Sequence, residues 1–203
     1  MRAGVIVAGG SSTRFEDGDK LVADLAGVPM IRRVADRLVD VIDELVVNCR
    51  EDQQAAIAAA LDGYPLEVTF AIDPEPDLGP MAGIRTGLSA TTAEYAFVAA
   101  GDMPFLDASF VAYLFDRAVG HDAALPRNED GYFEPLHAVY RAEPMVEACE
   151  AALERDERRI IAPLPHLDYV EIGPEAIADH ADPRTFENVN TREELERAVE
   201  RLE

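Results

Sequence analysis

The residues of this chain best suited to chemistry sit in a handful of short loops. The first is Ala8-Gly9-Gly10, with Arg14 and Lys20 following in the same stretch. Paired glycines directly after an apolar run let the backbone approach a phosphate closely, with N–H groups turned inward as donors. Arg14 and Lys20 supply positive charge for the same anion. Lys20 is the only lysine in the chain; the other seventeen basic residues are arginines. An ammonium is a compact point charge suited to phosphate oxygens, and a guanidinium is not its equivalent. The loop lacks the Gly-Lys-Ser/Thr of a Walker A motif, and no G-x-G-x-x-G dinucleotide fingerprint occupies this place.

A second candidate is Asp102, in Ala100-Gly101-Asp102-Met103-Pro104, with Asp73 closing the preceding apolar run. A hard cation such as Mg²⁺ takes one or two carboxylates together with substrate phosphates. Two carboxylates at neighbouring strand ends, opposite a loop holding Arg14 and Lys20, describe a site for a magnesium nucleotide. Between them lies Leu78-Gly79-Pro80-Met81-Ala82-Gly83-Ile84. Proline suits the first position of a helix, and the glycines admit a ligand to the helix N-terminus. Asn48 ends another apolar run and offers an amide fit for a base or ribose. Asn188 and Asn190 alternate just before the final helix, where both can face one cleft. Each of these residues, read singly, also has a plainer use as a turn or cap residue. The four histidines have no metal-ligand spacing, and no Ser-His-Asp or Cys-His order stands out.

Such loops need a scaffold, and the apolar pattern supplies one. Strand-like runs cover residues 3–8, 44–48, 66–72 and 95–100, and helical spacing covers 29–41, 52–61, 81–90 and 107–119. Strict alternation of this kind implies βαβ units and a mainly parallel central sheet, flanked by helices on both faces, which is an α/β, Rossmann-like architecture. Ligands bind beyond the carboxyl ends of strands in such sheets. That rule selects the loops after Ala8, Asn48, Ile72 and Ala100. Beyond Asp122 the pattern loosens: strands are expected at 135–140 and 169–172, a helix at 144–154, and a capping box at Thr191 and Glu194 opens the last helix.

Composition sets outer bounds. The 203 residues suit one domain, read as a nucleotide-binding half (1–119) and an acceptor-substrate half (120–203). Forty acidic against eighteen basic residues give a net charge of −22, which argues against nucleic acid or an anionic membrane as partner. The acidic residues are spread along the chain, a composition like that of proteins from salt-loving organisms, whose molar salt screens self-repulsion. No apolar run reaches the ~20 residues of a membrane span, and the N-terminus does not read as a signal peptide. With Cys49 and Cys149 read as reduced thiols, the expected compartment is the cytoplasm.

In their order, these loops resemble the molybdenum cofactor guanylyltransferase family, the MobA-like nucleotidyltransferases. The carriers are Val7-Ala8-Gly9-Gly10 with Arg14 and Lys20, Val46-Val47-Asn48, Asp73, Gly79-Pro80-Met81-Ala82-Gly83, Gly101-Asp102-Met103-Pro104 and Asn188-Val189-Asn190-Thr191. The resemblance implies transfer of GMP from GTP to the phosphate of molybdenum-molybdopterin, with release of pyrophosphate. It implies that Val7, Ala8, Gly9, Gly10, Lys20, Asn48, Asp73 and Asp102 contact GTP. It further implies that Asp102 holds Mg²⁺, and that Lys20, Asp102 and Arg14 carry the catalysis. Gly79, Pro80, Gly83, Asn188 and Asn190 would then face the acceptor. The expected partners are small-molecule substrates and, transiently, molybdoenzyme maturation proteins. Family loops usually read Arg-Met-Gly before the lysine, whereas this chain has Arg14-Phe15-Glu16-Asp17, and the match is loose over 120–185. The alternatives are a sibling enzyme that adds CMP to molybdopterin or GMP to cobinamide phosphate, and a nucleotide-binding regulator without turnover.

Overall fold

The structure, a computed structural model, describes residues 1–10, 19–74 and 78–202. Its first half runs β1 (Arg2–Val7), a hairpin of β2 (Asp24–Leu25) and β3 (Val28–Pro29), α1 (Met30–Leu38), β4 (Glu44–Cys49), α2 (Glu51–Ala60), β5 (Val68–Ile72), α3 (Pro80–Ser89) and β6 (Tyr95–Ala100). The second half adds α4 (Ala108–Ala118), β7 (Ala123–Pro126), β8 (His137–Arg141), α5 (Ala142–Glu154), β9 (Tyr169–Ile172), α6 (Pro174–His180) and α7 (Arg192–Glu200).

Seven strands form one sheet in the order β5-β4-β1-β6-β8-β7-β9. β1 lies between β4 and β6 and is parallel to both, as β4 is to β5 and β7 to β9. β8 alone runs against its neighbours, β6 and β7. The mainly parallel α/β sheet expected from the alternating pattern is therefore present. The reversal of β8 is not something a residue pattern encodes, because both strand directions bury apolar side chains equally well.

Side chains alternate across the strands and so divide the core in two. Ile6, Val47 and Phe97 face α1, α2 and α4. Val5, Val46 and Val98 face α3 and α5. With helices on both faces, the central strands are buried on both, which is why they read as continuous apolar runs. β7 escaped the sequence pattern because Ala123-Ala124-Leu125-Pro126 is short, fully buried and closed by a proline.

The helix caps follow the sequence signals. Asp107 accepts from the backbone N–H groups of Ser109 (2.9 Å) and Phe110 (3.4 Å) at the start of α4. At α7, Glu194 N–H donates to the Thr191 hydroxyl (3.2 Å), while the Glu194 carboxylate accepts from Thr191 N–H (3.0 Å). These are the two reciprocal bonds of a capping box, and they fix the turn that carries Asn190. Among the described residues, no helix is long and apolar enough to cross a membrane.

Candidate active site

The parallel strands β4, β1 and β6 end on the same side of the sheet, and their last residues open into a cavity of about 350 Å³. Val7, Ala8, Gly9 and Gly10 form one wall, and Ala100, Gly101 and Asp102 form the next. Asn48 and Asp73 come from the ends of β4 and β5, and Gly79, Pro80 and Gly83 from the start of α3. The backbone joins these ends: Ala8 N–H donates to Asn48 O (2.8 Å), Gly101 N–H to Val7 O (3.1 Å) and Asp73 N–H to Cys49 O (3.0 Å).

Lys20 lies across the mouth of β6. Its Nζ donates to Asp102 Oδ2 at 2.5 Å and to Asn190 Oδ1 at 3.0 Å. The side chains are 19% and 13% exposed for Lys20 and Asp102, so neither charge is well hydrated and each depends on the other. The second oxygen, Asp102 Oδ1, is buried and has no hydrogen-bond partner among the described residues. An unused carboxylate oxygen in a pocket wall is a hard ligand in want of a cation or a donor. Among the described residues, no three His, Cys, Asp or Glu side chains cluster to hold a metal. A cation at Asp102 would therefore complete its shell with substrate and water oxygens, as Mg²⁺ does with nucleotides.

Asn48 is fully buried. Its Nδ2 donates to Ala71 O (3.1 Å) and Asp73 Oδ1 (2.7 Å), while its Oδ1 has no partner among the described residues. Burial raises the carboxyl pKa of Asp73 above the ordinary value, and the Asn48 amide partly opposes that rise. Asn48 Oδ1 is buried behind Gly9 and Gly83, so of the two groups it is the half-buried Asp73 carboxylate that meets the cavity, an acceptor suited to the N–H groups of a base or the hydroxyls of a ribose.

Small residues make this proximity achievable. A Cβ on Gly83 would lie 2.5 Å from Asn48 Oδ1 and 2.9 Å from Val7 Cγ1, distances real contacts do not reach. Gly87, one turn on, has the same relation to Val5. The bare face of α3 thus lies flat on β1 and β4, and its N-terminus is delivered to the pocket. Gly79 caps α3 with φ +85°, a left-handed conformation that favours glycine, and Pro80 follows at the first helical position.

The structure brings together Val7, Ala8, Gly9, Gly10, Lys20, Asn48, Asp73, Gly79, Pro80, Gly83 and Asp102 around this cavity. Arg14 lies outside the described residues. Asn190 contributes through Lys20 rather than through the cavity wall. The expectation that Asn188 and Asn190 face one cleft does not hold. Asn188 is exposed and lines a separate hollow with Phe105, Glu187 and Arg197. Between the two asparagines, Val189 N–H is bound to Asp102 O (2.9 Å).

Sequence reasoning passed over Leu136, which reaches the cavity from the loop before β8. It also passed over Arg50, whose Nη1 donates to the carbonyls of Gly9 (3.4 Å) and Gly10 (3.2 Å). Neither carries a local signal. His137 is a core residue, packed against the rings of Phe97, Phe110 and Phe186 at 5.1, 5.7 and 4.6 Å. Burial pulls its pKa down to about 3. The Cys49 thiol, next to Asn48, is pushed up to about 11 by burial and is no nucleophile.

Residues 4–169 match the description of a MobA-like NTP transferase domain. The chain belongs to the MobA-like NTP transferase family. A relative from Natronomonas pharaonis, named a probable molybdenum cofactor guanylyltransferase, is 60% identical over 99% of this chain and 98% of its own. A molybdenum cofactor guanylyltransferase from Desulfosudis oleivorans is 34% identical over 96% of this chain and 93% of its own. Among solved structures, molybdopterin-guanine dinucleotide biosynthesis protein A from Archaeoglobus fulgidus superposes with a TM-score of 0.79 at 28% identity, covering 100% of this chain and 98% of that one. This protein is thus a nucleotidyltransferase of the MobA-like family. The family match encloses every cavity residue named above; the candidate residues Asn188 and Asn190, before α7, lie beyond it.

Proposed function

We propose that this protein transfers GMP from GTP to the phosphate of molybdenum-molybdopterin and releases pyrophosphate. The observation that carries the chemistry is the Lys20–Asp102 pair in the cavity wall beside the glycine loop, with the buried Asp102 Oδ1 unpartnered among the described residues. The names of the relatives, one 60% identical over nearly the full chain, support guanylylation among the transfers such a site could perform.

In the reaction, a phosphate oxygen of the acceptor attacks the α-phosphorus of GTP. The bond from that phosphorus to the oxygen bridging the β-phosphate breaks, and pyrophosphate leaves with the bonding electrons. In-line displacement of this kind needs positioning and charge neutralisation more than covalent help. Val7 and Ala8 would bring backbone against the nucleotide, and the N–H groups of Gly9 and Gly10 would meet phosphate oxygens. Lys20, with Arg14, would neutralise the departing pyrophosphate. Asp73, held by the Asn48 amide, would receive donors of the base or ribose. Mg²⁺, when bound at Asp102, would supply Lewis-acid neutralisation of phosphate charge.

Gly79 and Pro80 line the same cavity from the start of α3 and are the proposed acceptor side, with Asn190 at its rim, while Gly83 packs against Asn48 and Val7 on the nucleotide side. On this reading residues 1–119 hold the nucleotide and 120–203 complete the acceptor side. The strongly acidic surface fits work in a salt-rich cytoplasm. There, salt would also screen Glu16 and Asp17 from the triphosphate.

The reading is tested by calorimetry in high KCl with Mg²⁺, comparing GTP, CTP, ATP and UTP. A preference for GTP that weakens in Lys20→Ala supports it. A preference for CTP moves the assignment to a cytidylyl sibling, and binding of none of the four removes the nucleotide reading.

A further inference from the structure

We propose that Gln53, on the first turn of α2, is a positioning residue that sets Lys20 by gripping Asp19. This inference rests on the reading of the cavity as a GTP site.

Gln53 is only 5% exposed and is, with Ile57, one of two buried residues on α2. A buried amide must have both ends satisfied. Its Oε1 accepts from Arg50 N–H (3.2 Å), and its Nε2 donates to Asp19 Oδ2 (2.5 Å). The other oxygen of Asp19 accepts from Leu21 N–H (3.0 Å), capping the short 3-10 turn Lys20–Val22. That turn starts at Lys20, whose Nζ meets Asp102 and Asn190. A chain of hydrogen bonds therefore runs from α2 through Asp19 to the turn that aims the ammonium.

The same turn of α2 holds the other described end of the loop. Arg50, the residue before α2, binds the Gly9 and Gly10 carbonyls. α2 begins just after β4, the strand that carries Asn48, so the start of this one helix fixes both described ends of the phosphate loop.

The residue type supports the assignment. A chain with forty acidic residues, and with Glu51 and Asp52 flanking this position, uses carboxylates freely at helix starts, where the helix dipole favours them. At position 53 a carboxylate would face Asp19 at hydrogen-bond distance and repel it. An amide is needed because Asp19 offers only acceptors.

The test uses the chain's single lysine as a reporter. Protein labelled with ¹³C only at lysine gives side-chain resonances from Lys20 alone. In Gln53→Glu, the Lys20 Cε–Hε resonance should move toward that of free lysine, and kcat with GTP and acceptor should fall by about tenfold or more, as expected on displacing a preorganised charge. The double variant Gln53→Glu/Asp19→Asn keeps the bonds from Arg50 N–H and Leu21 N–H and exchanges donor and acceptor between the two side chains, so it should restore both readouts to within about threefold or one linewidth of wild type. A Gln53→Glu protein with wild-type lysine resonance and turnover overturns the proposal. So does a folded double variant that remains as displaced as the single. If Gln53→Glu does not fold, the double variant decides by the same lysine resonance. Absence of turnover in wild type would refute the GTP reading, and the lysine resonance would still decide this one.

Discussion

Substituting Gly83 by alanine asks whether the bare face of α3 is what holds the nucleotide end of the cavity together. The added Cβ would sit 2.5 Å from Asn48 Oδ1 and 2.9 Å from Val7 Cγ1. Neither neighbour can retreat easily. Val7 ends a strand paired on both sides, and the Asn48 amide is tied to Ala71 and Asp73. On an open helix the change would stabilise by about 1 kcal/mol through helix propensity. Here overpacking costs about 1–3 kcal/mol, and lifting the amide off Asp73 adds roughly 1 kcal/mol for the lost hydrogen bond. The net expectation is a loss of about 1–3 kcal/mol, or roughly 2–10 °C in Tm for a domain of this size. Thermal unfolding in high KCl measures the first effect. Titration with GTP measures the second, which should be a weakened affinity, since Asn48 Oδ1 and Asp73 no longer share one geometry. A Gly83→Ala protein as stable as wild type, binding GTP equally well, would refute the packing argument.

The other predictions concern charge, the core and the C-terminal cap. Lys20→Ala should retain the fold but lose at least ~2 kcal/mol of transition-state stabilisation, read as kcat/KM for GTP; an unchanged value would remove Lys20 from the chemistry. His137 stays neutral in the folded protein down to about pH 3, whereas the unfolded chain protonates it near pH 6.5. The unfolded state then binds more protons between these values. Stability should therefore fall on acidification from pH 6.5 by up to about 1.4 kcal/mol per pH unit from this group. Denaturant unfolding of wild type and His137→Phe should diverge with that slope below pH 6.5 and run parallel above it, and parallel curves throughout would contradict the assignment. Thr191→Ala removes one half of the capping box at α7 and should cost about 1 kcal/mol, measured by urea unfolding.

Much of the site was legible because it is local in sequence. In a parallel sheet the strand ends converge, so Gly9, Asn48, Asp73 and Asp102 were selected by the residue that follows each apolar run. The helix starts at Asp107 and Thr191 were legible for the same reason, since a cap is a contact within four residues. What escaped depends on distant chain. The reversed direction of β8 follows from pairing with β6 and β7, and no residue type marks it. Asn188 and Asn190 look equivalent in sequence, and only the distant Lys20, which binds Asn190 and not Asn188, tells them apart. Gly83 carried a signal that was read as room for a ligand. In the structure its missing side chain is equally room for Asn48. Gln53 had no motif at all, because its partner Asp19 is thirty-four residues away.

The central claim is guanylyl transfer at the Lys20–Asp102 site. The most direct measurement is product formation from GTP and molybdenum-molybdopterin with Mg²⁺ in high KCl, following the dinucleotide and pyrophosphate together in wild type and Asp102→Ala. The account predicts equal amounts of both products from wild type, and at least a ~30-fold slower reaction in Asp102→Ala with GTP still bound. GTP binding without dinucleotide formation in wild type, or undiminished turnover in Asp102→Ala, would contradict it.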